Sequence, residues 1–510
     1  MLFLLTGILW QLTIAQTGIT VDCQTERYTL AGGIGASWHA ISLDQIDTDI
    51  TKYSYGRFGI NARGSAWGGN PPVHMTRQWD QMKYHANWLG LNWMRVELSG
   101  RMYQPSRGVF DWDNEEMQAL YMILDWAEAH EVDVFLQQMW SNQHWNSYRH
   151  VQPLISAPVS MEDFTRGIVQ LMKQLTEEKA YSCIKWLCLS NEPPGPGWGC
   201  WWSMGDEIPN GSPAYEAQMA ALNYQPQGTP APFTPALKSV REALDTADIH
   251  IPLSGPDWTG VRMLDPAWVD FDTYIGAYDL HSYMGLDENN QAIFRSWADW
   301  ARERKKPLFL SELGNMNLRW KDSDPGPKSM EAALSTAHDI MIGLDMGVSA
   351  FNRWSFTNRG NLDGQWQLIR TWDTVNAKYL VHISPEPIAY YGYGIISRFL
   401  IKHSSVLHTE IENRGKLLSQ SLKSPDGRIT SYVVNLETKE VELDLTLVGA
   451  QGKFYRYQVT EAEISDPNYQ MNPTGVYKLK DGKGKTFTLP PKSITVFTHM
   501  EVFHNEVAER

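Results

Sequence analysis

The segment IKWLCLSNE (residues 184–192) is an apolar run that ends abruptly in Asn191 and Glu192, followed by two prolines and a glycine. Polar residues with proline and glycine are an ordinary way to end a strand. Parallel sheets also place functional side chains at the carboxyl ends of their strands. The rest of the chain decides between these two interpretations, because the same pattern recurs along it.

Similar apolar runs alternate with amphipathic helical stretches over the first four hundred residues. Besides residues 184–192, they occupy residues 30–38, 92–98, 132–140, 251–255, 277–283, 307–312 and 348–356. Strands that are apolar on both faces, each followed by a helix, are typical of a closed parallel barrel. We therefore predict an α/β fold in which residues 24–402 form a (β/α)8 TIM barrel. An open doubly wound sheet is the alternative, but GGIGASW (residues 32–38) has Trp38 where its phosphate loop needs a third glycine.

The pattern changes after residue 403, where short strand-like segments are separated by turns such as PDG, GAQG and DGKGK. Short strands between such turns are typical of an all-β sandwich, which we predict for residues 403–510. The segment that enters it, IAYYGYGIISRFLI (residues 388–401), is apolar enough to dock on the barrel. We therefore expect the sandwich to act as a structural buttress, with glycan binding as the alternative role.

Composition narrows the range of partners. The 510 residues include 44 Lys and Arg against 58 Asp and Glu, a net charge of -14, so we expect neither nucleic acid nor an anionic membrane as a partner. Tryptophan is abundant at 22 copies, and its flat face suits stacking against sugar rings. The sequence contains no His-x-x-x-His, Cys-x-x-Cys or Gly-x-Ser-x-Gly pattern. We therefore predict no metal, no cofactor and no serine nucleophile.

The N-terminus indicates export. Residues 1–15 are apolar and end in a small residue, Ala15, which is typical of a secretory signal peptide, although Lys and Arg are missing from its start. We predict a secreted or periplasmic protein with no membrane insertion after signal removal. A buried N-terminal strand or a wrongly assigned start is the alternative. The four cysteines are too few for a disulfide scaffold, so we expect buried thiols and leave one bridge through Cys200 open.

The ends of the apolar runs carry a further signal, because catalytic groups of a TIM barrel emerge at the carboxyl ends of its strands. Almost every predicted strand ends in polar or aromatic residues: Trp38, His39, Arg95, Glu97, Gln138, Trp140, Asn142, Asn191, Glu192, Asp257, Trp258, His281, Tyr283, Glu312, Arg353 and Trp354. Glu192 and Glu312 end strands 4 and 7, which lie on opposing walls of a barrel. Two carboxyl groups about 5 Å apart define the retaining route of glycoside hydrolysis.

These strand ends resemble those of the clan A glycoside hydrolases, the (β/α)8 retaining glycosidases. The resemblance is carried by LCLSNEPP (residues 187–194), LFLSELG (308–314) and DLHSY (279–283), together with Arg95 and Trp354. It covers residues 28–400, and the C-terminal sandwich is similar to that of the glucocerebrosidase-like branch, whereas the opening strand looks more cellulase-like. The long loop after Glu192 matches no particular family, so the family within the clan stays unassigned.

The resemblance implies a role for each matching residue. Glu192 would be the acid/base and Glu312 the nucleophile, while Asn191 would hydrogen-bond the sugar 2-hydroxyl. Arg95 and Tyr283 would hold Glu312 in position and keep it ionised. Further substrate contacts are expected from His39, His281, Trp354, Trp140 and Trp258. For several of these residues a structural role is the alternative: a salt bridge to Glu97 for Arg95, a core histidine for His281, and packing for Tyr283 and the tryptophans.

We therefore predict a metal-independent retaining glycoside hydrolase that cleaves β-glycosidic bonds in a neutral poly- or oligosaccharide, with endo-action favoured. An exo-acting β-glycosidase and a transglycosylase would share the same catalytic residues. A non-catalytic barrel that binds carbohydrate is the alternative of another class, although such a barrel has no use for a buried pair of carboxylates. The sugar, the linkage and the oligomeric state are left open.

Overall fold

The computed structural model describes residues 16–40, 69–140, 144–148, 156–193, 201–203, 229–259, 262–283, 285–314, 328–357, 366–373, 375–376 and 378–507. The strands are β1 (Gln16–Thr29), β2 (Ile34–Ala36), β3 (Trp38–His39), β4 (Trp93–Ser99), β5 (Asp133–Trp140), β6 (Ile184–Cys188), β7 (Trp202–Ser203), β8 (Thr229–Pro230), β9 (Leu253–Trp258), β10 (Ala277–Ser282), β11 (Leu308–Leu313), β12 (Val348–Arg353), β13 (Ile369–Asp373), β14 (Lys378–Pro385), β15 (Ser405–Glu412), β16 (Leu417–Lys423), β17 (Ile429–Asn435), β18 (Val441–Val448), β19 (Gly452–Val459), β20 (Gly475–Leu479), β21 (Lys485–Leu489) and β22 (Ser493–Thr498).

The α-helices are α1 (Thr76–Trp88), α2 (Gly100–Tyr103), α3 (Glu115–Ala129), α4 (Met161–Lys173), α5 (Thr234–Thr246), α6 (Glu288–Glu303), α7 (Met330–Met346), α8 (Pro387–Ser397) and α9 (Glu461–Ile464). Within the described part of the chain, no helix combines the length and the apolar character that crossing a bilayer requires. The predicted signal segment, residues 1–15, and Cys200 lie outside the described residues. Cys23, Cys183 and Cys188 are buried free thiols.

The first sheet is a closed parallel barrel. Its strand order is β2-β12-β11-β10-β9-β6-β5-β4-β3. β2 and β3 are separated only by Ser37, so they are two halves of one strand, and β2 pairs with β12 while β3 pairs with β4. The two ends of the sheet therefore belong to the same strand, and eight strands enclose the barrel. Each of the eight predicted apolar runs overlaps one of them, which confirms the predicted TIM barrel.

Helices follow the barrel strands as predicted, with one exception. Between β9 and β10, the described residues form only two 3-10 turns, Pro266–Trp268 and Asp272–Tyr274. The prediction of a helix after each strand is therefore wrong at the fifth strand. Trp258 packs at this position, edge-on to Phe271 and to Trp297 of α6, with ring centroids 5.9 and 5.7 Å apart. Large aromatic rings thus supply apolar contact where a helix is missing.

The second sheet has the order β20-β19-β22-β17-β16-β15-β1-β18-β21, which confirms an all-β domain after the barrel. Its halves share an apolar core that includes Ile19 of β1, Leu443 of β18, Phe454 of β19 and Phe497 of β22. β1 lies inside this sheet, antiparallel to β15 and parallel to β18. Residues 24–29, predicted to belong to the barrel, therefore lie in the sandwich instead.

The two domains share one continuous apolar core. Gly392 of α8 lies so close to Ala333 of α7 that a Cβ at position 392 would stand 2.6 Å from the Ala333 Cβ. On the sandwich side, the Tyr457 ring lies 4.4 Å from the Phe399 ring, and the Tyr432 hydroxyl donates to the Ile396 carbonyl at 3.3 Å. These contacts place the sandwich against α7 and α8, on the outside of the barrel wall, as a buttress would lie.

Because β1 is an interior strand of the sandwich, we expect Ile19→Asn to destabilise the protein strongly. Ile19 is fully buried, and the substitution both removes apolar contact and buries an amide, which together cost about 3 kcal/mol or more. Thr20→Asn introduces the same residue on the opposite face of the strand, where Thr20 is half-buried, and we expect a much smaller effect. Calorimetric melting of both variants tests this. Equal melting temperatures would contradict the placement of β1.

Candidate active site

The side chains that line the barrel interior change from apolar to polar along its axis. Six residues form an apolar floor: Trp93, Phe135, Cys188, Ala277, Phe309 and Ala350. Because side chains alternate between the two faces of a strand, residues two and four positions further along point inward again. Those positions carry fully buried polar groups: Arg95, Glu97, Gln137, Asp279, His281, Ser311 and Asn352. The polar layer therefore lies toward the C-terminal end of the strands, where barrels carry their functional side chains.

Local irregularities aim three carboxylates into this layer. In the β9–β10 pairing, Asp257 is an extra residue between Pro256 and Trp258, and in the β10–β11 pairing the register shifts immediately before Glu312. Such bulges turn a side chain that regular alternation would point elsewhere. Glu192 and Asp257 also have positive φ angles, 47° and 58°, which are unfavourable for residues other than glycine. Backbone strain of this kind clusters at functional sites.

Glu192 and Glu312 are brought together by the imidazole of His281. Nδ1 of His281 lies 2.8 Å from Oε1 of Glu192 and 3.3 Å from Oε2 of Glu312. The two carboxylate oxygens are therefore within about 6 Å of each other. Both residues are buried, with 8% and 5% of their surface exposed. The predicted meeting of Glu192 and Glu312 is present, and His281 lies between the two carboxylates. Its place in a sugar site stays a prediction.

Arg95 is the cation around which the layer is built. Its guanidinium is fully buried and donates from Nη1 to Glu312 at 2.6 Å and to Glu97 at 2.5 Å. Its Nη2 donates to Oδ1 of Asn191 at 2.8 Å. Tyr283 donates its hydroxyl proton to the other oxygen of Glu312. The predicted contacts of Arg95 and Tyr283 with Glu312 are therefore both present, and Arg95 also makes the salt bridge to Glu97 that was its alternative role.

Burial determines the charge of Glu312. Removal from water raises its pKa to about 7, outweighing the opposing effect of His281 and Arg95, and the nearby Glu192 and Glu97 raise it further. The sequence analysis predicts that Arg95 keeps this carboxylate ionised. The structure differs from that prediction because the guanidinium is shared by two carboxylates, Glu312 and Glu97, in a site with almost no solvent.

The remaining predicted residues lie around this centre or outside it. His39 is fully buried and contacts Glu97 through Nδ1, and the Trp354 ring stands edge-on to it at 5.0 Å. Trp354 itself is only 2% exposed, so its role as a stacking floor stays a prediction. Trp258 packs in the core described above. The side chain of Trp140, at the end of β5, lies outside the described residues.

The sequence assigns Asp257 no role beyond its place after predicted strand 5. In the structure, its fully buried carboxylate contacts His281, Gln137 and the backbone of Glu192. A sequence signal exists in GPDW (residues 255–258), where proline and a carboxylate end an apolar strand as in the segment around Glu192. Its position at a bulge, which aims it inward, is set by pairing with β10 and has no local signature.

One group of three residues brings potential metal ligands together: Cys188, Asp257 and Asp279, whose ligand atoms lie within 4.8 Å of one another. Burial raises the pKa of the Cys188 thiol well above its usual value and that of Asp279 to about 8. With no ion bound, both groups therefore keep their protons at neutral pH.

Comparisons with known proteins support the architecture. No family model and no curated protein matches this chain. Solved structures do match, including the catalytic domain of GH30 xylanase C from Talaromyces cellulolyticus at 13% identity and a TM-score of 0.58, covering 94% of this chain and 99% of that one.

A GH30 endoxylanase from Clostridium papyrosolvens matches at 12% identity and a TM-score of 0.59, with 94% and 99% coverage. An endo-beta1,6-glucanase matches at 13% identity and a TM-score of 0.56, with 94% of both chains covered. At these identities the likeness establishes the fold alone, a TIM barrel with a β-sandwich.

The raised pKa of Glu312 predicts a pH-dependent cost in stability. Between its unfolded value near 4.5 and its folded value of about 7, the folded state holds a proton that the unfolded chain has lost. Stability from this group is therefore present below pH 4.5 and lost as the pH rises through 7, by on the order of 3 kcal/mol. We expect Glu312→Gln to raise the melting temperature more at pH 8 than at pH 4.5.

The exposed Glu303→Gln serves as a control and should change the melting temperature equally at both pH values. A Glu312→Gln protein whose gain is the same at pH 4.5 and pH 8 would contradict the raised pKa.

Proposed function

We propose that this protein is a retaining glycoside hydrolase that cleaves β-glycosidic bonds within a neutral polysaccharide or oligosaccharide. The observation that carries the proposal is the pair of buried carboxylates, Glu192 and Glu312, on opposing strand ends within about 6 Å of each other. This separation fits a direct attack by one carboxylate on the sugar, whereas inverting enzymes leave room for a water, with roughly 6.5–9.5 Å between the groups.

In the first step, a carboxylate oxygen of Glu312 attacks the anomeric carbon while the bond to the leaving oxygen breaks. Glu192 gives its proton to that oxygen, and the product is a covalent glycosyl-enzyme with Glu192 ionised. In the second step, Glu192 takes a proton from water, whose oxygen attacks the anomeric carbon and displaces Glu312. Arg95 and Tyr283 hold Glu312 in place for both displacements. Asn191, held by Arg95, lies beside Glu192, where it would meet the 2-hydroxyl.

The fold neighbours support the class of substrate. Those named above are two xylanases, one of them an endoxylanase, and an endo-beta1,6-glucanase. Other matching structures include a conserved exported protein from Bacteroides fragilis, which agrees with the secretion proposed from residues 1–15. We therefore favour endo-action on a xylan or a β-glucan in an extracytoplasmic location.

Removal of each carboxylate should produce a distinct kinetic defect. We expect Glu312→Gln to lower kcat/KM on the best polysaccharide at least about 10³-fold, because the nucleophile is lost. Glu192→Gln should lose about 10²–10⁴-fold on the same substrate but much less on dinitrophenyl glycosides, whose leaving group needs no proton. Product chromatography after digestion of xylan, β-1,6-glucan and β-1,4-glucan measures both and separates endo from exo cleavage.

Azide provides an independent assignment of the two roles. With Glu192→Ala it should trap the glycosyl-enzyme as a β-glycosyl azide, and with Glu312→Ala it should attack directly and give the α-azide. The exposed Glu303→Gln is the matched control and should retain native rates. If the native protein binds these glycans but cleaves none, the chain is a carbohydrate-binding barrel and the proposal is wrong.

The pH dependence of hydrolysis should report the buried nucleophile. Since Glu312 must be ionised to attack and its pKa lies at about 7, while Glu192 must hold the proton that it gives to the leaving oxygen, we expect kcat/KM to follow a bell: it rises as Glu312 ionises and falls at higher pH as Glu192 loses its proton. The slope of the acidic limb should correspond to one proton. An acidic limb centred near pH 4.5, the ordinary value for a glutamate, would show that Glu312 is not the group that limits the rate.

A further inference from the structure

Asp257 is linked to both proposed catalytic carboxylates through His281 and to Glu192 through its backbone. Its Oδ1 accepts a hydrogen bond from Nε2 of His281 at 2.9 Å, and its Oδ2 accepts the backbone N–H of Glu192 at 3.2 Å. Gln137 donates to Oδ2 at 3.1 Å and Ser311 to Oδ1 at 3.3 Å. The carboxylate is thus fixed from several strands at once, and it has no direct contact with a substrate because it is fully buried.

We propose that Asp257 is a positioning residue for the retaining reaction: it keeps His281 protonated on both nitrogens, with Nδ1–H facing Glu192 and Glu312, and it holds the strained backbone of Glu192. The inference rests on the proposed function, since positioning has a meaning only if the two carboxylates are catalytic. It assigns Asp257 a role through two neighbours and no role in bond making.

Geometry alone determines which way the imidazole faces. Nε2 points at a carboxylate oxygen of Asp257, and Nδ1 points at carboxylate oxygens of Glu192 and Glu312. When Glu312 is ionised for attack, a neutral imidazole would leave one nitrogen without a proton facing the carboxylate of either Asp257 or Glu312, with no hydrogen between the two atoms. In that state the ring satisfies its surroundings as an imidazolium that donates from both nitrogens.

The charges around Asp257 agree with this assignment. Burial on its own would lower the pKa of His281, but Asp257 and Glu312 raise it well above its usual value. Burial would raise the pKa of Asp257, but His281 and Arg95, whose Nη2 is 3.7 Å away, lower it. Asp279 and the thiol of Cys188 also face Asp257, and both remain protonated at neutral pH. Asp257 is therefore the permanent anion paired with His281.

An imidazolium between the carboxylates suits a reaction in which their charges exchange. Glu192 becomes an anion as it protonates the leaving oxygen, while Glu312 loses its charge on forming the covalent bond to the sugar. The Nδ1–H of His281 reaches both groups, so it donates to whichever carries the charge and keeps its own proton throughout. Asp257 stabilises the positive charge of His281, and this charge lowers the free-energy cost of moving negative charge from Glu312 to Glu192.

The test compares native protein with Asp257→Asn, which keeps the shape of the side chain and removes its charge. We expect kcat on polysaccharide to fall about 10- to 100-fold with KM changed less than about twofold, as for other residues that act through a catalytic partner.

The acidic limb of kcat/KM for Asp257→Asn should move to higher pH by about one unit, because Glu312 loses the neighbouring positive charge. Asp257→Asn/His281→Gln should be no slower than His281→Gln alone.

Asp279→Asn is the matched control. Asp279 is equally buried, and its Oδ1 accepts the backbone N–H of Asp257 at 2.9 Å, a bond that asparagine also makes. Since Asp279 is held uncharged, the exchange of a neutral acid for an amide should leave the acidic limb in place. A shift equal to that of Asp257→Asn would show that any buried substitution moves the limb, and the proposal would be overturned.

A measurement without catalysis keeps the two proposals separate. Nitrogen-15 NMR of the native protein should show His281 protonated on both nitrogens from pH 5 to pH 9, and Asp257→Asn should show it titrating within that range. A native His281 that loses a proton below pH 7 would overturn the role of Asp257 even if the protein is an active hydrolase. A native protein that cleaves no glycan while His281 stays doubly protonated would instead overturn the proposed function.

Discussion

The buried guanidinium of Arg95 is the interaction on which the site depends. Five carboxyl-bearing residues converge on the barrel axis among the described residues, and removing each from water is costly unless an opposite charge and hydrogen bonds compensate. Arg95 reaches Glu97 and Glu312 from one nitrogen and Asn191 from the other, and it lies near Asp257. A lysine could not replace it, because a single ammonium lacks the planar fork that addresses groups on several strands at once.

The regular pairing of the barrel strands is the second constraint, because successive side chains of a regular strand point to opposite faces and cannot all point inward. The strands depart from this regularity at Glu192, Asp257 and Glu312. The shift before Glu312 and the extra residue at Asp257 both disturb the pairing of β10 with its neighbours, and Glu192 takes a left-handed backbone conformation. Closed pairing on both sides of each strand, together with the hydrogen bond from Glu192 N–H to Asp257, holds these distortions in place.

Sequence patterns predicted the features that depend on residues close together in the chain. Apolar runs revealed the eight barrel strands, and the carboxylates that end two of them predicted that Glu192 and Glu312 meet. The contacts of Arg95 and Tyr283 with Glu312 were implied by the resemblance to clan A glycoside hydrolases. The patterns could not reveal long-range pairing: β1 joins strands about four hundred residues away, so residues 24–29 were placed in the wrong domain. Nor could the patterns reveal the charge of Glu312, because its pKa depends on how much water reaches the carboxylate. Burial of this degree follows only from the packing of the folded barrel. Trp258 illustrates the same limit, because a tryptophan at a strand end reads equally as a sugar platform or as core.

The balance of charge in the polar layer connects structure to reaction. Arg95 and His281 are cations, while Glu97 and Asp257 are anions whose pKa values are lowered despite burial. Burial raises the pKa of Glu312 to about 7, and because these four groups largely compensate one another, Arg95 and His281 offset only part of that effect. An oxocarbenium-like transition state carries positive charge at the anomeric carbon, and it would supply the missing partner. In the proposed reaction, the site would thus disfavour an ionised Glu312 when empty and stabilise it when positive charge develops beside it, a difference in binding of the kind that accelerates a chemical step.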